Sequence, residues 1–213
     1  MAIIVHGRAT SSNVQVVMWA IGELGLGYER RDIGGQFGGT DTAEYRAMNP
    51  NGRVPTIQDG PLTMFESAAI LRYLSGAYGR DPFWPDDLRR RAELDMWAEW
   101  TKNTFCTAFA HDIFWPLIRT RAADRDPRQV ARGEAELARL APMIDRRVGQ
   151  GPWLGGDDFT FADVMLGHIL FRYFDVDFAR VPTPNLEAYY RRCTERPAYA
   201  EHVMVSYDSL RVS

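Results

Sequence analysis

Residues able to do chemistry fall in a few short stretches of the 213-residue chain. Thr10-Ser11-Ser12-Asn13 precedes a run whose apolar residues repeat at helical spacing, which sets the Ser11 hydroxyl and the Asn13 amide at the positive end of a helix. Donors placed there favour an anion, although Ser and Asn are also the ordinary residues of a plain helix cap. Glu66 and Ser67 stand at a second such junction, where a strand-like run gives way to a helical one and free N–H groups again suit an anion. Phe105, Phe109, Phe114 and Trp115 gather along one helical stretch and, with Arg119, can line a substrate pocket or build a core.

Other residues exclude chemistry. Gly34-Gly35-Gln36-Phe37-Gly38-Gly39 follows a strand-like run as a phosphate loop would, but the Gly-Lys-Ser/Thr ending is missing, so it reads as a mobile loop. His6, His111, His168 and His202 share no ligand spacing with one another or with Cys106 and Cys193, and no metal site is expected. The two cysteines lie far apart in helical stretches, which gives no disulfide framework and suits a reducing cytosol.

The elements that must position these groups divide the chain in two. Ile3 to His6 reads as a buried strand, Asn13 to Leu26 as a helix stopped by Gly25 and Gly27, and Tyr28 to Ile33 as a second strand. A short helix follows over Asp41 to Met48, then strands at Pro55 to Gln58 and Leu62 to Phe65 joined by Asp59-Gly60-Pro61, then a helix from Ser67 to Tyr78. Gly79 to Pro85, with two prolines, marks a boundary beyond which strand-like alternation disappears. Asp86 or Asp87 caps a long helix expected to break at Pro116, and Asp126-Pro127 opens another toward Val148. Phe159 to Val164 combines a capping box, Thr160 with Asp163, and a hydrophobic staple, and short helices follow at Leu186 to Cys193 and Ala198 to Val203.

Acids outnumber bases by 28 to 25, and the first 80 residues hold seven of each, so the net charge of −3 falls on the second half. Nothing concentrates basic charge for a nucleic acid. No stretch approaches the roughly 20 apolar residues of a membrane span, and the opening apolar run is too short for a signal peptide, so a cytoplasmic protein is expected. Lys102 is the only lysine, which reads as codon bias toward arginine.

Three segments in this order, Asn49-Pro50-Asn51-Gly52-Arg53-Val54-Pro55, Glu66-Ser67-Ala68-Ala69-Ile70-Leu71-Arg72-Tyr73-Leu74 and the capped Phe159 to Asp163, make the chain resemble the cytosolic glutathione transferase family over essentially its whole length. The resemblance implies an α/β plus all-α protein: a thioredoxin-like, glutathione-binding domain at residues 1–80, ordered β-α-β-α-β-β-α, and an all-helical domain at residues 86–213 that supplies the electrophile pocket. It further implies a homodimer that adds the glutathione thiolate to small hydrophobic electrophiles in detoxification, with glutathione as co-substrate and no metal. Glutathione-dependent disulfide reduction and a non-catalytic binding module are its alternatives.

Within the family, Thr10 to Asn13 looks most like the serine-using bacterial, theta-like and phi-like branches, where the serine donates to the glutathione sulfur. The matching residue is Ser11, with Asn13 as a second sulfur contact, and no Tyr or Cys precedes Leu26 to serve the other branches. A thiol with a pKa near 8.5 is only a few per cent ionised at neutral pH, and lowering that pKa by about 2 units takes roughly 2.7 kcal/mol, within reach of two or three hydrogen bonds. The resemblance also implies a cis Val54-Pro55 bond that turns the N–H and C=O of Val54 toward the cysteinyl backbone, in the manner of an added strand. Ser67 then takes the γ-glutamyl carboxylate, Glu66 its ammonium, Gln36 lies near the glycyl end, and Arg53 completes the set. Relatives often carry Asn where this chain has Ala68, so no contact is carried over there.

Overall fold

The computed structural model describes residues 2–212. Strand β1 (Ile3–His6) buries Ile3 and Val5 and lies at the centre of a four-stranded sheet ordered β2-β1-β3-β4. Parallel β2 (Tyr28–Arg31) sets Ile3 beside Tyr28, antiparallel β3 (Thr56–Asp59) sets Val5 beside Ile57, and β4 (Leu62–Phe65) pairs with β3 through Ile57 and Met64. Helices α1 (Ser12–Glu23), α2 (Ala43–Met48) and α3 (Ser67–Tyr78) complete the unit. Its order is the thioredoxin-like β-α-β-α-β-β-α that the resemblance implies.

Helix α1 is apolar on more than the one face its spacing suggests: Val16, Trp19 and Ala20 are as fully buried as Val14, Val17 and Ile21. A helix apolar all round belongs between layers. Here α3 packs on α1 from within the sheet-bearing half, and α8 (Phe161–Asp175) and α10 (Pro197–His202) pack on it from the helical half. Gly167 of α8 admits the Trp19 ring, since a Cβ there would lie 2.5 Å from it. Beside it, Glu23 accepts hydrogen bonds from Trp19 Nε1 at 2.7 Å and from Arg196 Nε at 2.7 Å, tying the halves together.

In the helical half, α4 (Leu88–Trp100) is capped by Asp87, whose carboxylate accepts the Arg89 N–H at 2.8 Å. The expected break at Pro116 does not occur. The chain instead passes through two π-helical turns, Thr101–Phe105 and Ala110–Phe114, separated by α5 (Cys106–Phe109), and continues into α6 (Trp115–Ile118). A wider turn just before the proline makes room for its ring and dispenses with the N–H it lacks. Helix α7 (Pro127–Val148) starts at its Asp126 cap, and α9 (Pro184–Thr194) packs across it. Buried Asp163 accepts the Thr160 N–H at 2.7 Å, as the capping box requires, and also the Leu154 N–H at 2.7 Å and the Tyr189 hydroxyl at 3.0 Å.

Candidate active site

A cleft of about 380 Å³ opens between the two halves, with the start of α1 on one wall and Phe114, Trp115, Arg119 and Arg172 on the other. A smaller cavity of about 80 Å³, bordered by Pro55, Glu66 and Ser67, continues it, and Asn13, Arg53 and Val54 line both.

Ser11 occupies the cap position of α1, with extended backbone (φ −90°, ψ 120°), and its carbonyl accepts the Gln15 N–H at 2.9 Å. Its hydroxyl makes no capping hydrogen bond. The group therefore remains free to donate into the cleft that it lines. Asn13 is oriented from its other side: Lys102 Nζ donates to Asn13 Oδ1, and Ser67 Oγ also lies within hydrogen-bond reach of that oxygen at 3.3 Å. Because an ammonium can only donate, the atom facing it must be the amide oxygen, and the Nδ2 donors of Asn13 are left for another partner.

At the smaller cavity Ser67 is buried at the first position of α3, and Lys102 Nζ donates to its hydroxyl at 2.9 Å. The lysine comes from the first π-helical turn, a feature common at functional sites, and its burial between the halves lowers its pKa. Glu66 holds φ at +71°, the only non-glycine residue with positive φ among those described. Such a conformation costs on the order of 1–3 kcal/mol and persists where surrounding structure imposes it. The Val54-Pro55 bond is cis. Its loop is fixed by buried Asn49, whose Nδ2 donates to the Arg53 carbonyl at 2.7 Å, and by Tyr45, whose hydroxyl donates to the same oxygen at 2.8 Å. Gly52 (φ +60°) lets this loop pass the Thr40 carbonyl, which a Cβ would meet at 2.9 Å.

The sequence-derived pocket residues separate into two groups. Phe114, Trp115 and Arg119 line the cleft. Phe105 and Phe109 do not: both are fully buried and pack on Tyr173, with ring centroids 5.3 and 5.7 Å from it. Gln36 is exposed on the loop and lines neither of the first two cavities, but a third of about 280 Å³ that shares Arg8, Thr10, Arg119 and Leu210 with the main cleft.

Lys102, Arg8 and Arg172 were not anticipated from sequence. Arg172 is 4% exposed, and its Nη2 donates to the Thr10 carbonyl at 2.8 Å while the guanidinium stacks over Phe114 at 4.8 Å. Burial pulls its pKa down to about 10, which leaves it charged at neutral pH. A single arginine in the otherwise apolar run Ile169 to Phe174 was a signal, since a charge on a buried helix must face something. Burial pushes the Cys106 thiol up to about 12, far from a reactive thiolate. Among the described residues no three His, Cys, Asp or Glu side chains group as a metal would require.

Known proteins resemble this chain in both of its halves. Residues 5–82 match the family described as glutathione S-transferase, N-terminal domain, and residues 106–197 its C-terminal domain. The glutathione S-transferase GstB of Escherichia coli strain K12 is 36% identical over 205 residues, covering 95% of this chain and 98% of that protein. A probable glutathione S-transferase of rice, GSTF1, is 27% identical over 91% of this chain and 92% of its own. Among solved structures, a theta class glutathione S-transferase from the citrus canker pathogen Xanthomonas axonopodis pv. citri, with glutathione bound, superposes with a TM-score of 0.91 at 40% identity, covering 96% of this chain and 98% of that one.

Proposed function

We propose that this chain, which belongs to the glutathione S-transferase family, ionises the thiol of glutathione at Ser11 and transfers the sulfur to a small electrophile held in the cleft. The observation that carries the reading is the uncommitted Ser11 hydroxyl, which stands at a helix N-terminus yet caps nothing and opens into the cleft. The glutathione backbone lies along Val54, its γ-glutamyl carboxylate at Ser67 and Lys102, and its ammonium at Glu66. Arg53 and the loop around Gln36 serve the glycyl side. The cysteinyl sulfur then reaches Ser11 and the free Nδ2 of Asn13.

The reaction follows from that placement. The thiol proton leaves to water at the open cleft, and the Ser11 hydroxyl, the Asn13 amide and the α1 dipole stabilise the charge left on sulfur. Sulfur donates its electron pair to the electrophilic carbon while Phe114, Trp115 and Arg119 hold the second substrate. A carbon–sulfur bond forms, and the bond to a leaving group breaks with its electron pair. Disulfide reduction, as an alternative, would rely on glutathione as its thiol, since Cys106 and Cys193 are buried.

We read the working unit as a cytosolic homodimer, supported by exposed apolar side chains at Leu62 (37%) and Met96 (60%). Among the described residues no helix is long and apolar enough to cross a membrane. The test of the catalytic assignment is Ser11→Ala, which should lower turnover of an aryl halide more than tenfold while glutathione affinity stays within a few fold, because the hydroxyl favours thiolate over thiol. Equal turnover would remove Ser11 from the mechanism and move its role to Asn13.

A further inference from the structure

The resemblance implies a hydrophobic second substrate, but the cleft carries a different chemical signature. Four arginines, Arg8, Arg53, Arg119 and Arg172, line it, and no Asp or Glu does. In a chain with more acids than bases this is an unbalanced concentration of positive charge. Arginines elsewhere find carboxylates, as Arg72 does with Asp95 at 2.7 Å and Arg196 with Glu23. None of the four cleft arginines has a carboxylate within 4.0 Å among the described residues.

Their hydrogen-bonding capacity is also unspent. The Nε atoms of Arg8 and Arg172 are buried with no partner. Arg172 uses Nη2 alone, on the Thr10 carbonyl and, at 3.5 Å, on Gln15 Oε1, while the side chains of Arg8 and Arg119 donate no hydrogen bond to any described residue. A buried Nε–H without an acceptor is a standing cost that an anion removes. The crowding shows in the titration: burial first, and then the charge of Arg119, lower the pKa of Arg8.

Position separates Arg8 and Arg119 from the γ-glutamyl end of glutathione, while the Gln36 loop on the glycyl side borders the same third cavity as these two arginines. The cavity at Ser67 shares Asn13, Arg53 and Val54 with the main cleft, whereas the third cavity shares Arg8, Thr10, Gly35, Arg119 and Leu210 with it, and those two outer cavities have no residue in common. Ser11 lines the main cleft but neither outer cavity, and Arg8 and Arg119 line the outer cavity that Glu66 and Ser67 do not reach.

Resting on the transferase reading above, we infer that the second substrate is an anionic electrophile, its carboxylate or other negatively charged group received by Arg8, Arg119 and Arg172. The device has a kinetic logic. A thiolate and an anionic substrate repel each other in water, and convergent guanidinium groups offset that repulsion at the distance where sulfur and carbon must meet. The covalent step is unchanged: the sulfur pair forms the carbon–sulfur bond, and the leaving group departs with its own pair.

The test compares two product analogues that share the same glutathione portion, S-(4-carboxybenzyl)glutathione and S-(4-carbamoylbenzyl)glutathione, by calorimetry at neutral pH. The carboxylate should bind at least tenfold more tightly than the amide, and Arg8→Gln with Arg119→Gln should cut that preference below threefold. Arg119 is exposed, so the single variant Arg119→Gln, with a smaller loss of preference, covers the case in which the double variant does not fold. Equal affinities in the wild type would overturn the inference while leaving the transferase reading intact. An equal loss for both compounds in the variants would assign the arginines to glutathione itself and overturn it too. Binding of neither compound would bring down the glutathione reading, and this inference with it.

Discussion

Lys102 Nζ donates to Ser67 Oγ at 2.9 Å, so the chain's only lysine, carried on a π-helical turn of the helical half, completes a site at the start of α3 in the sheet-bearing half. It also fixes which way Asn13 faces. One side chain thus links the γ-glutamyl and sulfur positions of the proposed glutathione path. Replacing it by methionine, which keeps the stem and removes the charge, should weaken glutathione binding about tenfold or more, since a charge-assisted contact and the orientation of Asn13 are lost together. Calorimetry measures this directly, and an unchanged affinity would make Lys102 a structural residue only.

Ser67→Ala and Glu66→Gln act on the γ-glutamyl end, whose charges change little as the sulfur reacts. Both should raise KM for glutathione and leave kcat near the wild-type value, the signature of lost uniform binding. Steady-state kinetics with glutathione varied would show it. A fall in kcat at constant KM would place these residues beside the sulfur.

Stability carries a pH signature from a residue outside the cleft. His168 is 1% exposed in α8, its Nδ1 2.7 Å from the Met165 carbonyl, and burial, aided by the charge of Lys102, holds its pKa down to about 3. In the unfolded chain it takes a proton near 6.5, so between these values the unfolded state binds more protons and stability falls as pH drops. From pH 7 to 5 this amounts to about 2 kcal/mol. His168→Gln lacks this contribution, so the stability difference between variant and wild type should shift in the variant's favour by about that amount when urea unfolding is repeated at pH 5. A difference independent of pH would mean that His168 is protonated in the folded protein.

Local signals served the fold well. Asp126-Pro127 and the Thr160–Asp163 box are contiguous in sequence, and each marks a helix start in the structure. Ser11, Asn13 and Ser67 were legible for the same reason, because helix starts announce themselves in a few residues. Lys102, 89 positions from Asn13, and Arg172, 162 from Thr10, reach the site only through the packing of the two halves, which no short pattern encodes. The aromatic stretch was harder still. Helical periodicity does not say which face meets the cleft, and two π-helical turns rotate the faces along the way, so Phe105 and Phe109 turn inward while Phe114 and Trp115 meet the cavity.

A homodimer closed by a two-fold axis would bury on the order of 1,200–2,000 Å² or more and cover the exposed apolar side chains of β4 and α4. Light scattering at micromolar concentration should then give about twice the 24.3 kDa chain mass. A single-chain mass across that range would exclude the dimer.

The central claim is that this cleft ionises glutathione through Ser11, and the ultraviolet absorbance of the bound thiolate, followed against pH, tests it most directly. In the wild type the bound thiol should titrate about 2 units below its ordinary value near 8.5. Ser11→Ala should still bind glutathione but bring the midpoint back by about 1 unit or more, as the loss of one strong hydrogen bond to the anion requires. An ordinary midpoint in the wild type, or the same depressed midpoint in the variant, would contradict the account.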